Sequence, residues 1–183
     1  EDGDFQMRRF VEIVNNDLSN TIGNLLNRTI TMSKKWFNDN IPIDNNYLNQ
    51  SFLKEISEIK INDYMNSFKE CNFKKSANSI IDFANNANLY LNDREPWKLI
   101  KDISNKEIVA SDIYSVLESC RLIGVLLFPF VPDLSSRILS QLNIDVSTIT
   151  FKDSLHWGLL NPSIGLPDPK PVMAKIEFNE DYI

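Results

Sequence analysis

The sequence is 183 residues long, 43% apolar and 10% aromatic, enough to bury the core of one domain with an appendage. Its net charge of −6 argues against holding nucleic acid through bulk electrostatics, which needs many cations facing phosphates. Two cysteines, Cys71 and Cys120, and the lone His156 are too few and too scattered for a structural zinc site, so no metal is expected.

The opening residues Glu1-Asp2-Gly3-Asp4 are acidic, and no basic-then-apolar leader is expected in this stretch. From Phe10 onward, Val11, Val14, Leu18, Ile22, Leu25, Met32 and Trp36 keep one side of a helix. This is either one long helix or two joined near Asn15-Asn16-Asp17, where side chains compete for backbone bonds. A loop follows around Ile41 to Asn46. A second helix then places Phe52, Leu53, Ile56, Ile59 and Phe68 on its inner face. Cys71-Asn72 marks a break. A third helix from Phe73 buries Ala77, Ile80, Ile81, Ala84, Ala87 and Leu91 and ends at Asn92-Asp93-Arg94-Glu95.

Pro96 is suited to open a short helix. A fourth long helix spans Lys106 to Leu127, with Ile113, Val116, Leu117, Cys120, Ile123 and Leu127 inward, and Pro129 stops it. Its apolar run, Leu122 to Phe130, is broken by Gly124 and Pro129 and is far too short for a membrane span, so no membrane association is expected. A further short helix begins at Pro132-Asp133 and ends near Asn143. Thr148-Ile149-Thr150-Phe151 has strand character, and Pro162, Pro167, Pro169 and Pro171 keep the remainder extended. The expected architecture is all-α: an antiparallel helix bundle over residues 1–143 with an extended tail over 144–183.

Catalytic signatures are missing. The five glycines form no phosphate-binding loop, and His156 has no nucleophile spaced to suggest a triad. Thr31-Met32-Ser33-Lys34-Lys35 resembles the Lys-Met-Ser-Lys-Ser loop that holds ATP in class I aminoacyl-tRNA synthetases. It departs at both ends and continues a helix into Trp36-Phe37, so its lysines are expected on a solvated face.

Asn20, Asn24, Asn27 and Arg28 gather on the polar side of the first helical segment, with Asn24 and Arg28 one turn apart. Asparagine is over-used throughout, as in Asn15-Asn16 and Asn85-Asn86, so a single Asn carries little information. Glu95-Pro96-Trp97-Lys98 sets a tryptophan at a helix entrance, a position that equally suits a packing anchor.

The same residues carry a family resemblance. The run from Asn16 to Thr29 is similar to the opening of the anticodon-binding domain of methionyl-tRNA synthetases. So is the run from Ala87 to Leu99, with its Asn, its Tyr and then Pro96-Trp97. Leu126 to Ser135 resembles the family's helix–Pro–helix connection. Trp157-Gly158 and Pro169-Lys170-Pro171-Val172 resemble the bacterial and plastid branch, although Trp157 to Pro162 is less glycine-rich than is usual there.

The resemblance implies the C-terminal domain of an enzyme that joins methionine to its tRNA with ATP, no cofactor being held here. The catalytic domain would precede Glu1 and meet the tail, in the cytoplasm or a plastid-like organelle. It implies Asn24, Arg28 and Trp97 as anticodon-reading residues, Pro96 as support for the tryptophan, and a CAU anticodon as ligand. Asn24 and Arg28 suit the donor–acceptor edge of cytosine, and Trp97 suits stacking. Arg94, Lys98 and Lys101 are candidate phosphate contacts. Two alternatives remain: the anticodon domain of another class I synthetase, and a helical protein-interaction module without an RNA role.

Overall fold

The computed structural model describes residues 5–43 and 51–178. The expected loop at Asp44 to Asn46 lies outside those residues. Among the described residues the fold is all-helical. The first helical stretch is continuous: α1 (Met7–Ile13) passes into a π-helical stretch (Val14–Gly23) and then α2 (Asn24–Trp36). The wider winding begins at Val14, beside the Asn15-Asn16-Asp17 site where the sequence suggested a join.

Helices α3 (Phe52–Lys69) and α4 (Phe73–Arg94) form a hairpin, with Cys71 taking a left-handed φ of 57° at the turn. The Asn72 side chain caps α4 by accepting from the Lys75 N–H. The short α5 (Pro96–Leu99) follows, then the central α6 (Lys106–Leu127) and α7 (Pro132–Gln141). No described helix is long and apolar enough to cross a membrane.

The inner face of α3 differs from the sequence expectation. Leu53 is buried, but Phe52 and Ile59 are exposed, at 52% and 55%. Ile56 and Phe68 are partly buried and pack against the core as expected, and the fully buried positions are Leu53, Ser57, Tyr64 and Ser67. Two of these positions are small serines, which bury little apolar surface and so carry no hydrophobic signal in the sequence.

Helix α6 is the axis of the molecule. From Val109 to Leu127 every residue is buried, the state of a helix surrounded on all sides. Its polar residues therefore need internal partners. The Glu118 carboxylate, with a side-chain exposure of 0%, accepts five hydrogen bonds. Arg121 donates two of them, and the Gly158, Leu159 and Leu160 backbone N–H groups donate the others. Arg121 in turn donates to the Ser154 and His156 carbonyls at 2.7 and 2.6 Å, and the Tyr114 hydroxyl donates to the Leu160 carbonyl at 2.8 Å. The tail is thus bonded into the core from α6 outward.

Beyond Gln141 the helical elements among the described residues are short 3-10 turns, at Val146–Thr148 and Asp153–Leu155. The strand expected at Thr148–Phe151 is not formed. The Asp145 side chain caps the Val146–Thr148 turn, accepting from the Ser147 N–H, and the 148–151 backbone pairs with no neighbouring strand.

Further on, the tail meets the 39–41 segment through Ser163 N–H to Ile41 O, Ile41 N–H to Ile164 O and Leu166 N–H to Asp39 O. It then runs antiparallel to the π-helical stretch. Val172 lies beside Gly23, Ser19 donates to the Met173 carbonyl, and the Asn15 amide both donates to and accepts from the Ile176 backbone.

Removing the Glu118 carboxylate leaves a buried guanidinium without its counter-charge and three backbone N–H groups without their acceptor. Glu118→Ala is therefore expected to destabilise the fold by about 3–5 kcal/mol, read as a lower urea midpoint at unchanged slope. A loss under about 1 kcal/mol, the size of an exposed pair, would refute the clasp.

Burial pushes the Cys120 thiol and the Tyr64 hydroxyl each up to about 12, from ordinary values of 9.0 and 10.0. Their unfolded forms ionise first, so stability is full below pH 9 and declines as pH rises through their folded values. In alkaline titration the Tyr64 phenolate signal should appear only with loss of helicity. Cys71, which is exposed, should take a thiol reagent while Cys120 stays unmodified until unfolding.

Candidate nucleic-acid interface

Trp97 owes its position to the end of α4. Glu95 adopts a left-handed conformation (φ 45°, ψ 51°), which stops the helix and turns the chain sharply. Pro96, buried and without an N–H to lose, starts α5, and the Lys98 and Leu99 N–H groups bond back to the Glu95 carbonyl at 2.8 and 3.3 Å. Trp97 is left half-buried, its lower part against the core. The connection beyond is braced by Asn105, whose amide donates to the Leu99 carbonyl, and by Asp102. The Ser104 backbone N–H bonds the Asp102 carboxylate and holds it below the usual carboxylate range.

Helix α2 supplies the facing side. Leu25, Leu26, Thr29 and Ile30 turn inward, which puts Asn24 and Arg28 on the exposed face. Arg28 Nη2 donates to Asn92 Oδ1 at 3.1 Å, and its Cζ stands 5.9 Å from the centroid of the Trp97 ring, within cation–π range. One turn earlier on α4, the Asn88 amide donates to the Thr21 carbonyl of the π-helical stretch and to the Ala84 carbonyl, each at 3.0 Å. Asn88 and Asn92 thus fasten α4 to the helix that carries Asn24 and Arg28.

Of the residues expected from sequence, the structure brings Arg28 and Trp97 into contact, with Asn24 one turn from Arg28 and Pro96 at the root of the tryptophan. The three expected cationic neighbours have different surroundings. Arg94 Nε lies 2.9 and 3.0 Å from the two Asp112 carboxylate oxygens, where the Tyr90 hydroxyl also donates at 2.6 Å. It lines a recess of about 210 Å³ with Ser51, Phe52, Tyr90, Ile108, Ser111 and Asp112. Lys98 is paired with Glu95 at 2.6 Å, and Lys101 is exposed in the connection between α5 and α6.

Two features were not visible in the sequence. Asn92 was hidden by the general excess of asparagine, and the only available signal was its four-residue spacing from Asn88 beside Pro96-Trp97. The second is Lys34. Its ammonium bonds Asp168 at 3.0 Å, Asp39 at 3.3 Å and the Leu166 carbonyl at 3.0 Å, which raises its pKa, chiefly through Asp168. Thr31 to Lys35 lies wholly within α2, with Ser33 buried and bonded to the Asn40 carbonyl. This segment anchors the tail and does not fit a mobile ATP-holding loop.

Comparison with known proteins gives these positions a context. Residues 44–182 match the family model described as the anticodon binding domain of methionyl tRNA ligase. The methionine–tRNA ligase of Synechocystis sp. is 34% identical over 97% of this chain and 36% of that protein. The chloroplastic/mitochondrial methionine–tRNA ligase of Arabidopsis thaliana is 34% identical over 98% of this chain and 30% of that protein. The chain therefore spans about one third of the length of the curated relatives it matches. Among solved structures, apo methionyl-tRNA synthetase of Mycobacterium tuberculosis superposes with a TM-score of 0.87. The match covers 98% of this chain and 36% of that one at 22% identity, a likeness of fold. The extent of the family match and the near-complete coverage by these relatives agree: the chain belongs to the anticodon-binding domain family of methionyl-tRNA ligase.

Proposed function

We propose that this chain reads the CAU anticodon of methionine tRNA and holds that tRNA for a catalytic domain elsewhere in the same polypeptide, which joins methionine to it with ATP. The observation that carries the reading is the Arg28 guanidinium held over the half-buried Trp97 ring, with Asn24 exposed one turn away. This arrangement joins an aromatic platform to a cation with several donors, the two elements that sequence-specific recognition of splayed RNA bases uses.

Cytosine presents one amino donor and two acceptors on its pairing edge. The Asn24 carbonyl accepts from the amino group, and Arg28 donates to the ring nitrogen and keto oxygen. Uracil inverts two of those positions, setting its O4 acceptor against the Asn24 carbonyl and its N3–H donor against the Arg28 N–H. Pro96 fixes the approach of Trp97 to the base. Lys101 is the most available of the three candidate phosphate contacts, since Arg94 and Lys98 already have carboxylate partners. The tail, bonded along the bundle from Gly158 to Ile176, is the element through which the catalytic domain would be met. The working place would be intracellular, in cytoplasm or a plastid-like organelle, in keeping with the cyanobacterial and chloroplastic/mitochondrial relatives.

The chain should bind a hairpin with a CAU loop more tightly than one with UAU, by about 5- to 150-fold for a discrimination of about 1–3 kcal/mol. Trp97→Ala should weaken binding by about tenfold or more through loss of stacking. Titration of labelled hairpins, with melting as the control for folding, checks both. An unchanged affinity in a folded Trp97→Ala variant would overturn the reading. Few phosphates face cations on this acidic surface, so affinity should fall only shallowly with salt. A steep loss would point to bulk charge binding.

A further inference from the structure

We infer that Asn92 is a positioning residue for anticodon recognition: its side-chain oxygen holds the Arg28 guanidinium over Trp97 without neutralising it. The inference rests on the anticodon reading above and adds to it a residue outside the three that would touch the base.

Several positive charges of this chain are held by carboxylates. Lys34 meets Asp39 and Asp168, Lys60 meets Asp82, Arg94 meets Asp112, Lys98 meets Glu95 and Arg121 meets Glu118. Arg28 instead meets an amide oxygen and an indole ring, both neutral.

A carboxylate at position 92 would hold the guanidinium more strongly but would cancel its charge and repel an approaching phosphodiester chain. An apolar residue would leave a long, freely rotating side chain whose ordering entropy falls on the binding step. An amide does neither. It fixes one donor nitrogen at 3.1 Å and leaves the other donors of the fork for the base.

The backbone supports this use. Asn92 lies in the last turn of α4, three residues before the left-handed Glu95 that sets the direction of Trp97. The rung that orders Arg28 and the turn that presents the platform therefore belong to one short stretch. Asn88 bonds the Thr21 carbonyl one turn back and fixes the spacing between α4 and the opposing helix, so Asn92 meets Arg28 in constant register.

The test uses the full chain and two labelled hairpins, CAU and UAU, titrated with wild type, Asn92→Ala, Asn92→Asp, Arg28→Ala and the Arg28→Ala/Asn92→Ala double variant, each checked by thermal melting. Asn92→Ala should lower CAU affinity about five- to tenfold, the size of an exposed bond to a charged group, and lower the CAU-to-UAU ratio with it, at unchanged melting temperature. Asn92→Asp, which keeps the acceptor, should preserve that ratio while weakening both hairpins at low salt, the loss shrinking as salt rises. In the Arg28→Ala background, Asn92→Ala should change binding less than twofold, because the residue acts through Arg28.

The proposal is overturned if Asn92→Ala weakens both hairpins equally, if its effect persists without Arg28, or if it has no effect while Arg28→Ala abolishes selectivity. If Arg28→Ala itself leaves CAU binding unchanged, the anticodon reading fails and this inference falls with it.

Discussion

The buried pair between Glu118 and Arg121 is the constraint on which the rest of the molecule is arranged. Two opposite charges one turn apart on a fully buried helix would be costly if they satisfied only each other. Here each has spare hydrogen-bonding capacity, and the tail uses it: three N–H groups converge on the carboxylate, and two carbonyls receive the guanidinium. Helix α6 can therefore sit at the centre, and a segment too rich in proline to make helix or sheet bonds acquires backbone partners. With the tail fixed at Ser154 to Leu160, its later part reaches Lys34, Ser19 and Asn15 and lies along the first helical stretch. The core ion pair thus braces, at some remove, the helix that carries Asn24 and Arg28.

An acidic domain can address RNA when it localises a small amount of positive charge and keeps it unspent. Specific recognition of one or two bases needs a stacking surface and a correctly placed set of donors, each contributing a few kcal/mol at most. The surrounding carboxylates then disfavour indiscriminate contact with phosphate backbones. Net negative charge and selective binding are compatible on this account, because the discriminating contacts are short-ranged while the repulsion is screened within about 8–10 Å at ordinary salt.

Much of the fold was legible because helical periodicity is a strong signal where one face is apolar. The helices from Phe73 to Arg94 and Lys106 to Leu127, and the stops at Pro129 and Cys71-Asn72, follow from side-chain spacing and backbone chemistry. The failures have separate physical origins. On α3 apolarity found Leu53, Ile56 and Phe68 but also pointed to Phe52 and Ile59, which remain exposed, and missed the buried Ser57 and Ser67. At Thr148–Phe151 β-propensity was overruled by an Asp145 cap. The π-helical winding of Val14–Gly23 was marked in the sequence only as a candidate join near Asn15-Asn16-Asp17; its Thr21 carbonyl and Ser19 hydroxyl bond Asn88 and the tail. Of the candidate site, Trp97 was legible through Pro96 and Arg28 through its spacing from Asn24. Asn92 was not, because its partner comes from a distant stretch and its residue type is common throughout the chain.

The path of the tail has a mechanical meaning. Its final described residues return to the start of the chain: the Asn15 amide clips Ile176, and Arg8 stands 5.6 Å from the Phe178 ring centroid. Polypeptide continuing from either end would leave the bundle at one place. Arg28, by the rise of the helix between them, stands roughly 25–30 Å from Arg8. Were the domain held through that end, it would act as a lever carrying the Arg28–Trp97 pair towards the other. A tilt of about 5° at the held end would move the Trp97 platform by about 2–3 Å over that length, comparable to a whole hydrogen bond. On such a lever, the stiffness of the paired ends would set how closely the Arg28–Trp97 pair keeps its place at the tip.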